Sequence, residues 1–275
     1  MEELFRIIVL GIVQGLTEFL PISSSGHLIL VRELFGWEFS NDLTFDLALH
    51  LGTTVAVLAF FWREWLLMLG SSLSWATSGG REHGSDPVFN HGLLLLLVIG
   101  SVPAALVGFL FGDYIEEHIR SPVVVGVMLM VFGGVLFLAE RLGRGRRDLA
   151  SSTWRDAVWI GCAQAVSLIP GVSRSGVTIS AALARDYTRY DAARFSFFLA
   201  TPVIVGAGGL KMLEALNEGI SRNDLGLMLV GAVVAAVTGW LVIGFLLRYV
   251  QARSYLPFVI YRLVVGVFVI VYFAR

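Results

Sequence analysis

The hydrophobic positions of this chain come in long unbroken blocks with no strand-like alternation, and the polar positions are confined between them. A helix that crosses a bilayer needs about 20 mostly apolar residues. Six segments meet that length: 45–62, 93–112, 122–139, 195–213, 225–247 and 256–274. Two further apolar pairs are too short to cross. Residues 7–17 break at Glu18 and Pro21, and the chain resumes at Leu28; residues 157–169 break at Pro170, and 175–184 follow. Each pair reads as two half-helices joined by a Pro/Gly/Ser loop. Irregular backbone at membrane depth is tolerated only where protein or a wet cavity surrounds it. The expected fold is therefore an all-α integral membrane protein of six transmembrane helices plus two re-entrant helical hairpins. Two long kinked helices are the alternative to the hairpins.

Composition agrees with the blocks. Of 275 residues, 56% are hydrophobic and only 15% charged, with a mean hydropathy of +0.78. A soluble domain carries about 25% charged residues. The net charge of -1 singles out no partner. Glu2, Glu3 and Glu18 argue against a secretory signal peptide at the start. The single cysteine, Cys162, has no partner in the chain for a disulfide and is expected to be a buried, inert thiol.

The arginines orient the layout. Basic loops stay inside, so the stretch with Arg141, Arg144, Arg146, Arg147 and Arg155 is placed on the cytoplasmic face. Alternation through the spans then puts twelve Arg inside, Arg63 and Arg81 among them, and five outside: Arg6, Arg32, Arg120, Arg222 and Arg275. The outer loops at 113–121 and 214–224 are acid-rich, with Glu116, Glu117, Glu214 and Glu218. Both termini fall outside.

The hairpins also resemble each other. Gly11–Gly26 reads GIVQGLTEFLPISSSG and Gly161–Gly176 reads GCAQAVSLIPGVSRSG. Gln14 and Gln164, Ser23 and Ser173, Ser25 and Ser175, and Gly26 and Gly176 match at an offset of 150, and three spans follow each hairpin. The expected organisation is one membrane domain of two repeats with inverted topology. The first spans 1–140 with its hairpin at 4–35, the second 156–275 with its hairpin at 157–184, and a basic linker covers 141–155. Such repeats place a site near the midplane where broken helices meet. Chance likeness of two small-residue loops is the alternative.

The polar residues at depth lie in these loops. Hydroxyls and free amides at a helix N-terminus attract anions, and Arg174 adds a fork suited to phosphate oxygens. Charged groups in a membrane are functional candidates by default, which selects Glu18, His27 and Arg174. Gln14 and Glu18 share a helix face. A neutralising Glu18–Arg174 ion pair, a His27 bonded to backbone and serines that only cap helices are the structural alternatives. His50 and Asp46 line the same cavity or pair with each other, the latter being favoured. Arg262 and Lys211 are expected to snorkel. No P-loop, HExxH or cysteine metal motif is present.

Gln14-Gly-Leu-Thr-Glu18-Phe-Leu-Pro-Ile-Ser-Ser-Ser-Gly-His27 and Pro170-Gly-Val-Ser-Arg-Ser-Gly-Val-Thr178, with Phe195–Pro202 and Pro257–Arg262, resemble the bacitracin-resistance type of undecaprenyl-pyrophosphate phosphatase over the whole length. The resemblance implies hydrolysis of the carrier-lipid pyrophosphate to its monophosphate at the outer side of the bacterial plasma membrane. It implies that Ser24, His27 and Arg174 are critical, and that the first half-helix carries an acidic pair. Gln14 takes the first place of that pair, so Glu18 alone carries the charge and a two-carboxylate metal site is in doubt. The acid-phosphatase type of membrane lipid phosphatase requires a further His after its Ser-Arg, and this chain has none beyond His118.

The expected mechanism has Ser24 as nucleophile, with a directly attacking water as the variant, and His27 as general base and acid. Glu18 orients His27 or, with Gln14 nearby, holds a divalent cation, magnesium or calcium. Arg174, Ser23, Ser25, Gly26, Ser173, Ser175, Gly176 and Thr178 bind the phosphates. No organic cofactor is expected. The expected partners are a polyprenyl pyrophosphate lipid and the bilayer, with a homodimer open and no nucleic acid. A polyprenyl-phosphate flippase would use the same anion loops without a nucleophile, and an ion channel would need a polar lining that 93–112 and 122–139 lack.

Overall fold

The structure is a computed structural model that describes residues 1–38, 42–79 and 86–274. Arg81 and Arg275 lie outside the described residues, as do the side chains of Glu116, Lys211, Glu214 and Glu218. Twelve α-helices and no strand occur among the described residues.

The helices start and stop for local reasons. α1 (Glu2–Phe19) runs through Glu18 and ends one residue later, because Leu20 precedes Pro21 and is extended at φ -71°, ψ 142°. α2 (Ser24–Phe35) stops at Gly36, which is left-handed at φ 59°. α3 (Asp42–Phe60) and α4 (Trp62–Thr77) follow, and α4 occupies a stretch for which the sequence pattern gave no element. α5 (His91–His118) is capped by Asn90. α6 (Pro122–Leu142) starts on a Ser121 cap with Pro in its first turn. α7 (Trp154–Val166) opens on a Thr153–Asp156 capping box. α8 (Arg174–Leu183) and α9 (Arg189–Val203) follow. A π-helical turn at Ile204–Gly208 joins α9 to α10 (Gly209–Glu218). α11 (Arg222–Ala252) and α12 (Leu256–Phe273) complete the chain.

Among the described residues, four helices are long and apolar enough to cross a membrane alone: His91–Ile115, Pro122–Leu142, Arg222–Ala252 and Leu256–Phe273. Thr44–Phe60 and Trp62–Thr77 form a fifth only as a pair, bent by 78°. The expected span 195–213 is divided by the π turn, which follows Pro202 and contains two glycines. The outer faces of the long helices expose Phe109, Leu138, Val237, Leu241, Val264 and Phe268, a surface suited to lipid and not to water. The protein is a multi-pass membrane protein.

The two halves of the chain pack across each other. α1 lies along α11, and α7 lies along α5. Small residues set these contacts, as expected where backbones must approach in a membrane. A Cβ on Gly161 would sit 2.3 Å from the Gly100 carbonyl oxygen of α5, and one on Gly15 would sit 2.8 Å from that of Ala235 on α11. α3 also packs on α11, and α12 on α6. Cys162 is exposed on α7, not buried as its apolar neighbourhood suggests, because the buried stripe of that helix runs through Ala157, Ile160, Gly161 and Gln164.

At the polar end of the second half, the linker is tied down by one carboxylate. Asp156 accepts both Arg147 Nη atoms at 2.9 and 2.7 Å, Arg185 Nε at 2.8 Å and the Thr153 amide at 2.9 Å. Burial alone would raise this carboxyl, but the hydrogen bonds from Arg147, Thr153 and Arg185 hold it well below the usual carboxylate range.

Candidate active site

The loop after α1 and the loop after α7 end in the same local structure. Each ends on a serine in a backbone region that side-chain-bearing residues rarely occupy: Ser23 at φ 77°, ψ 96° and Ser173 at φ 73°, ψ 111°. Each of these serines caps the helix that follows. Ser23 Oγ accepts from the Gly26 amide at 3.3 Å, and Ser173 Oγ from the Gly176 amide at 3.1 Å. The next-but-one serine then lies beside each cap, Ser25 at 3.5 Å and Ser175 at 3.2 Å. Strain of this kind persists where the surroundings over-determine it, and it clusters at functional sites.

The two loops are brought together by three cross-connections. Ser175 Oγ donates to the Leu20 carbonyl at 2.9 Å. Arg174 Nη2 donates to Glu18 Oε1 at 2.5 Å. Arg262, on α12, is fully buried. It donates to the carbonyls of Pro21 at 3.0 Å, Gly171 at 3.1 Å and Val172 at 2.9 Å, and to Leu129 and Met128 on α6. The expectation that Arg262 snorkels is therefore corrected. Its guanidinium has five carbonyls within reach inside the protein, and so no need of the interface.

Glu18 is the centre of the polar cluster. Its Oε2 accepts from Ser24 Oγ at 2.5 Å and from Gln14 Nε2 at 2.9 Å, with His50 Nε2 at 3.6 Å. Gln14 Nε2 also reaches Thr53 Oγ1 at 3.5 Å. Arg174 keeps its second terminal nitrogen, Nη1, buried and without a protein hydrogen bond. Beside Glu18 and Arg174 runs a narrow cleft walled by Thr53, Thr54, Val57, Ala200, Thr201 and Ile204. An anion drawn to Arg174 Nη1 would lie at the first turn of α8.

Several expected residues are placed differently from the sequence picture. His27 does not contact Glu18; its ring lies between the Ser23 carbonyl and the Tyr261 hydroxyl, each at 2.7 Å. The hydroxyls of Ser23, Ser173, Ser175 and Thr178 are buried and bonded within the protein; Thr178 donates to the Arg174 carbonyl at 2.7 Å and meets Ser196 at 2.7 Å. Asp46 and His50 form a hydrogen-bonded pair, through the Asp46 backbone carbonyl and not its carboxylate. Its carboxylate takes Arg32 at 2.7 Å and Arg120 at 3.1 Å, while its carbonyl holds His50 Nδ1 at 2.8 Å. Thr53, Tyr261 and Arg262 join the site without having been selected for it, and His50 lines it as one of its two readings had it. Arg262 carried a signal, as a charge inside an apolar run; Tyr261 carried only its place in the Pro257–Arg262 stretch.

Glu18's two oxygens take Arg174, Ser24 and Gln14 Nε2. Gln14 Oε1 beside it is buried without a protein hydrogen bond, and with Glu18 it is the group that would hold a divalent cation. No group of three His, Cys, Asp or Glu side chains converges among the described residues. A hard cation needs several oxygen ligands.

Residues 7–268 match the family model of bacitracin resistance protein BacA. The chain is 47% identical over 268 residues to the undecaprenyl-diphosphatase of Desulforudis audaxviator, covering 97% of each. It is 44% identical to that of Pelotomaculum thermopropionicum, over 97% of this chain and 96% of the relative. It is also 44% identical to that of Alcanivorax borkumensis, over 96% of each. The chain belongs to the bacitracin resistance protein BacA family.

Proposed function

We propose that this chain is a membrane phosphatase that hydrolyses undecaprenyl pyrophosphate to undecaprenyl phosphate and inorganic phosphate. The observation that carries the reading is the Ser24–Glu18–Arg174 cluster, where a hydroxyl, a proton acceptor and a half-free guanidinium meet at the junction of two loops. The names of the relatives supply the substrate. They do not favour a flippase, which needs no nucleophile.

In this reading Arg174 Nη1 and the loop amides bind the terminal phosphoryl group. Ser24 Oγ attacks its phosphorus and passes its proton to Glu18 Oε2. The bond from phosphorus to the bridging oxygen breaks, and undecaprenyl phosphate leaves. Water then attacks the phosphoserine and gives a proton to His27, three residues further along α2. The phosphorus–Oγ bond breaks as Glu18 returns its proton to Ser24 Oγ, inorganic phosphate departs, and His27 gives up its proton to the departing phosphate or to water. Relative to the sequence picture, Glu18 replaces His27 as the base for the serine.

The same proposal includes six crossings with two re-entrant hairpins, at 4–35 and 157–184, related as an inverted repeat. Support comes from the matching caps at Ser23 and Ser173 and from the exchanged packing of α1 with α11 and α7 with α5. The α9–π–α10 stretch supplies the sixth crossing. The arginine bias supports a plasma-membrane orientation with the site opening outward. The deciding experiment is phosphate release by the purified protein in detergent, with polyprenyl pyrophosphates of several chain lengths. Absence of release from all of them rejects the enzyme reading.

A further inference from the structure

α12 meets the site through two consecutive residues, Arg262 and Tyr261. The Tyr261 hydroxyl lies 2.7 Å from His27 Nε2. The two rings stack, with centroids 5.6 Å apart and planes 14° from parallel. The other ring nitrogen, Nδ1, lies 2.7 Å from the Ser23 carbonyl oxygen. That same carbonyl accepts the His27 backbone amide at 3.1 Å.

A carbonyl has no proton to give, so the hydrogen of the Nδ1 contact belongs to Nδ1. The neutral ring then carries its lone pair at Nε2, and the phenol donates to it. When Nε2 takes a proton, both nitrogens become donors and the phenol oxygen accepts instead. A hydroxyl can serve in both states, which a carboxylate could not. One ring nitrogen's partner fixes what the other can do. Ser23 O therefore selects the tautomer, and Tyr261 holds the basic nitrogen in place through both halves of a proton cycle. Ser23 is also the strained cap of α2, so the backbone geometry that starts the helix also aims this carbonyl at the ring.

We infer that Tyr261 is the positioning residue for His27, holding its ring in the Nδ1–H tautomer with Nε2 as the only site of proton exchange. The inference rests on the proposed acid–base part of His27. Tyr261→Phe keeps the stacked ring and removes only the hydroxyl.

The test combines kinetics with ¹⁵N spectroscopy of ring-labelled histidine in detergent, the His27 signals being assigned by their loss in His27→Gln. The expected result has three parts. Wild-type His27 shows the Nδ1–H tautomer. Tyr261→Phe moves the Nε2 resonance toward that of a free lone pair. Its kcat falls about 10-fold or more while KM stays within about threefold, the pattern for a group that acts in the transition state. An Nε2–H tautomer in the wild type overturns the inference. So does a Tyr261→Phe protein with unchanged kcat or unchanged His27 resonances. A wild-type protein that releases no phosphate rejects the functional reading instead, and the resonances still decide the place of Tyr261.

Discussion

Ser24 Oγ donates to Glu18 Oε2 across 2.5 Å, and His27, three residues further along the same helix, faces away to Tyr261. The proposed nucleophile therefore has a carboxylate as its immediate proton acceptor, in a site where each Glu18 oxygen has a donor against it. Ser24→Ala should fall to background in the phosphate-release assay, by a factor of about 10⁴ or more. Glu18→Gln should lose about 10²–10⁴-fold, since it keeps the shape and removes the base. If Ser24→Ala keeps several per cent of turnover with weakened binding, an activated water is the nucleophile and Ser24 only holds phosphate.

Arg174 spends one nitrogen on Glu18 and leaves the other buried without a protein partner. Lysine cannot do both, because its ammonium is a single point of charge. Arg174→Lys should lower kcat/KM by about 100-fold, the scale of ~3 kcal/mol for a charge-assisted contact. Near-normal turnover by the folded variant would remove Arg174 from phosphate binding.

Arg262 should govern stability before it governs chemistry. Its removal strips donors from carbonyls of both loops and of α6 at once. Each unsatisfied buried group costs about 1–3 kcal/mol, so Arg262→Leu should destabilise by at least about 3 kcal/mol. Thermal unfolding in detergent reads this directly. A midpoint equal to that of the wild type would mean that the loops hold together without the guanidinium.

Asp156 predicts a pH dependence of a definite sign. Its folded carboxyl titrates below the usual value, held there by Arg147, Thr153 and Arg185 against burial. The stability it contributes is thus fully present above the unfolded value of about 3.9. It is lost as pH falls through the lower, folded value. This group should leave the unfolding midpoint flat from about pH 5 to 8 and depress it below about pH 4. Asp156→Asn should unfold at lower temperature at neutral pH and show a shallower acid limb. An acid limb as steep as that of the wild type would assign the effect elsewhere.

The arginine distribution predicts sidedness. In a background with Cys162→Ala, Glu117→Cys should react with an impermeant thiol reagent in intact cells. Gly145→Cys should react only once the inner face is opened. The Cys162 replacement is needed because that thiol is exposed on α7. The reverse labelling pattern would invert the orientation and with it the outward-opening site.

Block length, breaks and stray charges were enough to read off the membrane class, the two interrupted helix pairs and the loops that hold Glu18, Ser24, His27 and Arg174. These were legible because they depend on local facts: block length against bilayer thickness, Pro and Gly at breaks, and charge where charge is expensive. Which side chains meet depended on the packing of the helices. It gave Ser24 to Glu18 rather than His27, since the strained cap at Ser23 sends the imidazole toward α12. It buried Arg262 between two loops that lie 91 and 241 residues away from it in sequence. It gave Ser23 Oγ and Ser173 Oγ a helix amide each and Ser175 Oγ the Leu20 carbonyl. A hydroxyl bonds the nearest suitable partner, and in a packed membrane protein that partner is set by how distant helices come together, which no local pattern records.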